Sequence, residues 1–191
     1  MALIIGLCGD KQHGKDTVAQ MLLDVAIETG IKVVRRAMAD PLKEEIADCF
    51  APKLGVTKEE LIRQMNTTGE KERWRLIMQW WGTEFRREQD VDYWVKQLHG
   101  WMKANAWDTE KLIVTVPDVR FLNEIDYVMK NSGYMIRVNR PGFPTDDSHK
   151  SEQEWKKFNG WGQIIDNDGT EEDLKLKVIT MYTLLEGRGQ F

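Results

Sequence analysis

Apolar residues fall into two patterns along this chain, continuous runs and runs spaced three or four residues apart. Residues 2–8 form a continuous run, which is typical of a strand buried on both faces, and KLIVTVPD, residues 111–118, also predicts a strand. Residues 15–29 carry apolar side chains at helical spacing, and Gly30 suits the end of that helix. Because strands and helices alternate, the pattern favours an α/β fold with a parallel sheet flanked by helices.

Three further segments complete a predicted five-stranded sheet, at residues 31–39, 134–142 and 162–169. Helices are predicted between the strands. Asp40 followed by Pro41 predicts a helix N-cap and first turn. Thr57 and Glu60 form a capping box, which predicts a second helix start. Residues 71–88 predict one long helix with its apolar side chains on one face.

Composition is that of an ordinary globular protein, with 191 residues of which 41% are hydrophobic and 30% charged. No apolar run approaches the ~20 residues of a membrane span. The first ten residues lack the positive charge of a signal peptide. Cys8 and Cys49 have no metal-ligand spacing and indicate a reducing, cytoplasmic compartment. A formal net charge of −4 argues against stable nucleic-acid binding.

The segment GDKQHGKDT, residues 9–17, joins the first predicted strand to the first predicted helix. Gly9, Gly14 and Lys15 have the spacing of a phosphate-binding loop. Backbone N–H groups at a helix start attract anions, and the lysine adds a positive charge for the β and γ phosphates. The combination predicts a nucleotide site, and a chance glycine-rich turn is the competing interpretation.

Asp16 departs from the usual loop motif, which has serine or threonine at this position to hold Mg²⁺. Thr17 follows directly and could supply the hydroxyl instead. Asp16 could also reach the metal through water or face the acceptor, and the sequence does not distinguish between these roles. His13, inside the loop, is more often a solvated loop side chain than a ligand contact.

Polar residues also follow the later strands, at the sheet edge where parallel α/β sheets bind ligands. Asp118 ends the third predicted strand, and Arg120 comes two residues later. Asp118 could lie near Mg²⁺ or cap the next helix, and the two roles are compatible. Arg140 directly follows the fourth predicted strand, which is a favourable place for a phosphate contact.

One helical segment is rich in arginine and tryptophan, and its arginines are Arg73, Arg75, Arg86 and Arg87. Arginine binds phosphate in a bidentate manner, although helical arginines are as often solvated or paired with glutamate. Trp80, Trp81 and Trp94 could stack on a nucleobase, but core packing is the more common role for each.

These segments together resemble the deoxynucleoside monophosphate kinases of tailed bacteriophages. The similar segments are GDKQHGKDTVAQML, MADPLKEEI, QWWGTEFRREQDVDYWV, DVRFLNE, HKSE and IIDNDGTEEDL. The phosphate loop of that family also carries GKD followed by threonine, so Asp16 conforms to it. The resemblance implies a three-layer P-loop NTPase fold in one domain, residues 1–191. Within it, a helical acceptor-binding region is expected at about 41–108 and a lid at about 140–160.

The resemblance also implies roles for individual residues. For ATP they are Gly9, Lys11, His13, Gly14, Lys15, Asp16, Thr17, Asn167 and Gly169. For the acceptor nucleotide they are Asp40, Lys43, Arg73, Gln79, Trp81, Thr83, Glu84, Arg86, Arg87 and Arg120. Mg²⁺ would be held by Asp16, Thr17 and Asp118, and catalysis would use Lys15, Arg120, Arg140 and Asp118.

The implied reaction is phosphorylation of a deoxynucleoside 5′-monophosphate by ATP with Mg²⁺, in the cytoplasm of an infected bacterial host. The expected partners are these nucleotides, and the tryptophans leave a homodimer open. Two other functions stay open at this point. One is a P-loop kinase of another phosphorylated metabolite, because animal phosphomevalonate kinase carries a similar loop. The other is a nucleotide-binding regulator that binds ATP without turnover. A nucleic-acid 5′-kinase is a weaker third alternative, because the acidic net charge disfavours it.

Overall fold

The computed structural model describes residues 2–106, 112–143 and 148–187. It contains the five predicted parallel strands: β1 (Leu3–Cys8), β2 (Lys32–Arg35), β3 (Leu112–Val116), β4 (Tyr134–Asn139) and β5 (Gln163–Asp166). The strand order is β2-β3-β1-β4-β5, so β1 is central and pairs with β3 and β4. The predicted α/β fold with a five-stranded parallel sheet flanked by helices is therefore confirmed.

The helices between the strands are α1 (Lys15–Thr29), α2 (Ala39–Leu54), α3 (Lys58–Asn66), α4 (Lys71–Gln79), α5 (Arg87–Gln89), α6 (Tyr93–Asn105), α7 (Leu122–Lys130), α8 (Lys150–Gln153) and α9 (Glu171–Gly187). A π-helix, Trp80–Arg86, joins α4 to α5, and a 3₁₀ turn, Glu154–Lys157, follows α8. Within the described residues, none of these helices is long and apolar enough to cross a membrane.

Alternation along β1 separates the two faces of the sheet. Leu3, Ile5 and Leu7 join buried residues of α1 and α9 in one apolar cluster on the first face. Helix α7 packs against β1 and β4. Since β1 is buried on both sides, its six residues are all apolar or glycine, as the continuous apolar run predicted.

The chain divides into two compact units. The sheet unit comprises Met1–Ala37 and Leu98–Phe191. The helical unit, Met38–Gln97, has its own buried residues, among them Leu42, Ile46, Leu61, Met65 and Trp94. The Trp94 indole donates to the Gly82 carbonyl at 2.9 Å, so Trp94 is a core residue of the helical unit, as its more common role predicted.

Two predicted boundaries differ from the structure. The strand expected at 31–39 ends at Arg35, because the chain leaves the sheet after the Arg36 N–H donates to the Thr115 carbonyl. Helix α2 then begins at Ala39 without a side-chain cap, so Asp40 is not the N-cap. Pro41 still lies in the first helical turn, where its missing N–H costs no hydrogen bond.

The predicted start of α3 is confirmed, with the first of the two hydrogen bonds that define a capping box. Thr57 is the N-cap, and its hydroxyl accepts a hydrogen bond from the Glu60 N–H at 3.1 Å. This bond satisfies one of the N–H groups that a helix start leaves without an intrahelical partner. The helix therefore begins where the local sequence predicts it.

The helix expected over 71–88 is not one α-helix, because its middle is the π-helix Trp80–Arg86. In an α-helix, residues five apart point about 140° away from each other. In the wider π-helix, Trp81 and Arg86 both reach the carboxylate of Glu45. The contact of both side chains with Glu45 explains why the helix widens here. Such π-helical turns are frequent at functional sites.

Candidate functional site

The loop between β1 and α1 lies at the carboxyl end of the central strand. Gly9 has a φ of 151°, and a Cβ there would lie 2.3 Å from the backbone oxygen of Val138. Gln12 and Gly14 also have positive φ, of 63° and 98°. A chain that alternates in this way turns its N–H groups inward, which is the geometry of an anion-binding loop at a helix N-terminus.

Lys15 is the first residue of α1, and its side chain folds back over this loop. The ammonium donates to the carbonyls of Gly9 at 2.8 Å and Asp10 at 2.7 Å. An ammonium has three N–H donors, so one remains for a ligand. Burial, and next the positive charge of Arg120, lower the pKa of Lys15 to about 8. Arg120 therefore lies within electrostatic range of Lys15.

The pKa of the Cys8 thiol, just before the loop, is shifted by several charged groups that the fold brings near it. Burial raises its pKa, the nearby carboxylates Glu124 and Asp118 act in the same direction, and Lys15 and Arg120 oppose them. Cys8 donates a hydrogen bond to the Val119 carbonyl at 3.0 Å, which ties the end of β1 to the segment after β3. The predicted residues Lys15, Asp118 and Arg120 are thus neighbours in space.

Two glutamates hold the backbone and the side chain of Arg120. The buried Glu124 accepts from the backbone N–H of Arg120 at 2.8 Å and of Phe121 at 3.2 Å. Glu152 of α8 forms an ion pair with the guanidinium, and its side chain is only 4% exposed. A charge-assisted pair of this kind fixes the direction of the arginine. Arg120 is 32% exposed, so part of the guanidinium is accessible.

His13 is buried, at 5% exposure, so the expectation of a solvated side chain is wrong. Its Nδ1 accepts from the Arg140 backbone N–H at 3.2 Å, and therefore the ring proton is on Nε2. Nε2 donates to the Phe143 carbonyl at 2.9 Å. The Asn167 amide donates to the His13 carbonyl at 3.1 Å. His13 thus fastens the phosphate loop to the segments after β4 and β5.

Other contacts add to this fastening. Arg140 stacks on the Phe143 ring, 4.0 Å from its centroid, and reaches the Gln12 carbonyl at 3.4 Å. Lys156, in the 3₁₀ turn, pairs with Asp10 at 2.9 Å. The phosphate loop is therefore contacted by residues far along the chain, which the local motif did not reveal.

The predicted lid, 140–160, includes residues 144–147, which lie outside the described residues, Pro144 among them. Its described part is packed rather than free of contacts. Ser151, Glu152 and Trp155 are buried, at 6%, 3% and 1% exposure. Gly169, the second predicted ATP residue near this edge, lies exposed in the turn after β5. Motion of the lid stays a prediction.

The residues predicted to hold Mg²⁺ are polar and accessible. Asp16 and Thr17 are exposed in the first turn of α1, and Asp16 pairs with Arg35 at 3.3 Å. The Asp16 side chain is 76% exposed, so this pair adds little to stability. Mg²⁺ at phosphate sites is held by one or two protein oxygens together with phosphate oxygens. The oxygen donors present fit that requirement.

The helical unit contains a second polar cluster, centred on Glu45 of α2. This carboxylate accepts from Trp81 at 2.9 Å, Arg86 at 2.8 Å and Tyr93 at 2.5 Å. Burial disfavours ionisation of Glu45, but these three hydrogen bonds outweigh burial and lower its pKa. The Arg86 guanidinium also stacks against Phe85 and Tyr93. Its side chain is 26% exposed, and only its Nε contacts Glu45, so among the described residues its terminal nitrogens are available.

Other predicted acceptor residues lie in the same unit. Lys43 is buried and donates to Asn66 at 2.6 Å, whereas Arg73 is exposed on α4. Half-buried positions are occupied by Asp40, Gln79, Thr83, Glu84 and Arg87. Trp80 is 52% exposed and stacks on Phe85, so core packing does not describe it.

Sequence reasoning missed Glu45 and gave no role to Glu152. The segment HKSE marked Glu152 as part of a similar segment without indicating its partner. Nothing in the sequence around Glu45 indicated that three donors would converge on it. In both cases the partners lie more than thirty residues away, so only the fold brings them together.

The profile of the deoxynucleotide monophosphate kinases matches residues 54–178. The chain belongs to this family. A candidate deoxynucleotide monophosphate kinase of Acanthamoeba polyphaga mimivirus is 28% identical over 193 residues, which cover 93% of this chain and 95% of the relative. The protein is thus a kinase of the deoxynucleotide monophosphate kinase family.

The family match begins at residue 54, so it does not include the phosphate loop. The loop geometry at residues 9–17 therefore supports kinase activity independently of the family match. The match does include the π-helix and Arg120, whereas Lys15 and Glu45 lie before it.

Similar solved structures include two kinases. The Mycobacterium tuberculosis APS kinase CysC Cys556Ala mutant has a TM-score of 0.47 at 10% identity, covering 95% of this chain and 97% of that chain. Shikimate kinase from Aquifex aeolicus has a TM-score of 0.44 at 14% identity, covering 98% of this chain and 99% of that chain.

Proposed function

We propose that the kinase transfers the γ-phosphoryl group of ATP to the 5′-phosphate of a deoxynucleoside monophosphate. The bond between the γ phosphorus and its bridging oxygen to the β phosphate breaks, and an acceptor phosphate oxygen forms the new bond. The products are ADP and the deoxynucleoside diphosphate. The observation that carries the proposal is the loop of glycine-favouring backbone conformations over which the Gly9 and Asp10 carbonyls hold the Lys15 ammonium, with one N–H left for a ligand.

This reaction needs little proton transfer, because an ionised phosphate oxygen is already a nucleophile. Catalysis then consists of positioning and charge stabilisation. Lys15 would bind the β and γ phosphates, and Arg120 would bind the phosphate that is transferred or receives it. The contact of Arg140 with the loop at Gln12 supports a similar role at the phosphates. Asn167 and Gly169 would lie near the adenine of ATP.

Mg²⁺ would be bound by Asp16 or Thr17, with Asp118 reaching it directly or through water. The metal would neutralise phosphate charge and align the reacting groups when bound. Exposure of Asp16 and Thr17 at the helix start supports this assignment.

The helical unit would bind the acceptor nucleotide. Support comes from Arg86, whose terminal nitrogens are available and whose Nε is fixed by Glu45. An arginine held in this way can bind a phosphate in a bidentate manner. The phage resemblance and the viral source of the relative support a role in viral deoxynucleotide supply, in the cytoplasm of the infected host. A homodimer stays a prediction.

A coupled ADP-release assay tests the proposal. ATP and Mg²⁺ are supplied with dAMP, dGMP, dCMP, dTMP, UMP or phosphomevalonate. Release that depends on a deoxynucleotide supports the proposal and ranks the bases. Activity with phosphomevalonate alone would contradict the proposed acceptor class. ATP binding without any release would favour a regulator.

The affinity for ATP is expected to fall about tenfold as the pH rises from about 7 to about 9.5. Burial and the charge of Arg120 lower the pKa of Lys15 to about 8, so the ammonium loses its charge in this range. The phosphates are already ionised there and bind the charged amine more strongly, so binding is linked to proton uptake. Calorimetry with MgATP at several pH values measures the dissociation constant.

The stability of the free protein should respond in the opposite direction. The pKa of Lys15 is lower in the folded protein than the ordinary 10.5, so the unfolded chain binds more protons above pH about 8. The contribution of Lys15 to stability therefore rises with pH up to about 10.5. A Lys15→Arg variant, which stays charged, is the control. A pH-independent ATP affinity in the parent protein would contradict the assignment.

A Glu45→Gln change is expected to raise the acceptor KM about tenfold and leave the KM of ATP within about twofold. Loss of the negative charge weakens the hold on Arg86, and a small misplacement of a binding group is costly. Steady-state kinetics with the best acceptor of the panel measures both constants. Glu60→Gln is the matched control, since Glu60 also binds an arginine, Arg63, but on the surface. Equal changes in both KM values would indicate a purely structural role.

A further inference from the structure

Arg137 of β4 is a cation for which neither the sequence nor the proposed function has yet supplied a role. It pairs in register with Cys8 of β1, the residue before the phosphate loop. Its strand neighbours Ile136 and Val138 belong to the apolar cluster with α1 and α9, so Arg137 points to the opposite face. There its guanidinium lies 5.6 Å from the centre of the Trp155 ring.

This guanidinium has no acceptor among the residues that the structure describes. Its Nε is buried without a hydrogen-bond partner, and no ion pair within 2–106, 112–143 and 148–187 includes Arg137. The indole N–H of Trp155 beside it is also buried and unpartnered. Buried donors are nearly always satisfied in proteins. Two adjacent unsatisfied donors therefore indicate that an acceptor from outside the described chain belongs here.

One short segment brings Arg137 next to Arg120. Glu152 and Trp155 are three residues apart in α8 and the 3₁₀ turn that follows, so their side chains lie on one face. Glu152 forms an ion pair with Arg120, and the ring of Trp155 lies against the guanidinium of Arg137. The carboxylate of Glu152 thus pairs with Arg120, and that of Glu124 accepts from the Arg120 backbone N–H. Arg137 has no carboxylate partner among the described residues, and a partly buried cation without one is costly unless an anion is bound.

We propose that Arg137 binds a phosphate dianion of the substrate together with Arg120, next to the phosphate loop. The proposal deepens the proposed function and rests on it. The dianion is either the acceptor 5′-phosphate or the terminal phosphate of ATP. Both offer the several oxygens that two guanidinium groups and an indole N–H can bind.

The test replaces Arg137 with methionine, which removes the charge but still packs against Trp155. We expect the variant to bind one of the phosphate compounds more weakly. Its dissociation constant for that compound should rise about tenfold or more, as for loss of a charge-assisted hydrogen bond. Calorimetry with ATP, with each of the four deoxynucleoside monophosphates and with inorganic phosphate identifies that source. The unfolding midpoint should stay the same or rise, because an unpaired guanidinium is removed. Arg63→Met, which removes an exposed, paired arginine, is the control.

The outcomes separate this proposal from the proposed function. If the parent protein phosphorylates a deoxynucleotide but Arg137→Met binds and reacts within twofold of it, the role of Arg137 is wrong. A lower unfolding midpoint with unchanged binding would also overturn it, since that result is a structural role. If the parent phosphorylates no nucleotide, the proposed function fails. Weaker phosphate or ATP binding by the variant would then still support the anion site, and equal or absent binding would reject it.

Discussion

Replacement of Lys15 by alanine is expected to lower kcat about a thousandfold, with the fold retained. Lys15 is the cation of the phosphate loop, with two of its three donors on the Gly9 and Asp10 carbonyls and the third available. Loss of one preorganised charge at a phosphate that is being transferred typically costs two to three orders of magnitude. The ADP-release assay with the best acceptor measures kcat.

The same variant should unfold within about 4 °C of the parent, which corresponds to about 1 kcal/mol for a chain of this size. The lowered pKa of Lys15 means that burial disfavours its charge, so the removal of this charge relieves a cost of folding. Thermal denaturation followed by circular dichroism provides this control. A folded variant with near-normal kcat would show that the loop does not bind the reacting phosphates.

Replacement of Arg120 by alanine is expected to lower kcat/KM for the acceptor at least about a hundredfold and that for ATP much less. The guanidinium lies within electrostatic range of Lys15, and under the proposed function the reacting phosphates would lose one of two cations. The change also leaves Glu152 as a buried carboxylate without its partner. Breaking such a pair costs about 3 kcal/mol of stability. Kinetics at saturating levels of the other substrate separates the two KM values.

A double variant separates the two effects of Arg120. Arg120→Ala combined with Glu152→Gln removes both charges, so most of the stability should return while activity stays low. The single Glu152→Gln variant keeps Arg120, but its guanidinium is no longer held by an ion pair, so an intermediate loss of activity is expected. If the double variant recovered activity together with stability, Arg120 would be structural only.

The phosphate loop and the sheet could be predicted because their signals are local. Gly9 and Gly14 occupy backbone conformations that suit glycine, and Lys15 follows at the helix start. The continuous apolar run of β1 likewise indicates that both faces of this strand are buried. Such features depend on a few consecutive residues, so a single sequence contains them in full.

The π-helix could not be predicted in this way. Residues 80–86 have the composition of an ordinary amphipathic helix, and the wider turn is stabilised by Glu45, which lies in another helix. His13 was likewise misjudged, because its two ring nitrogens are bound by residues after β4. In each case the energy that decides the local structure comes from a distant segment.

The sequence by itself determined the α/β class, the loop that binds phosphate and the family resemblance, since each is a property of consecutive residues. Only the tertiary structure decided which charges meet. It placed Arg120 on Glu152 and within electrostatic range of Lys15, three donors on Glu45, and Arg137 against Trp155 with no acceptor among the described residues. The physical reason is that electrostatic and hydrogen-bond energies act over a few ångströms in space, whatever the separation along the chain.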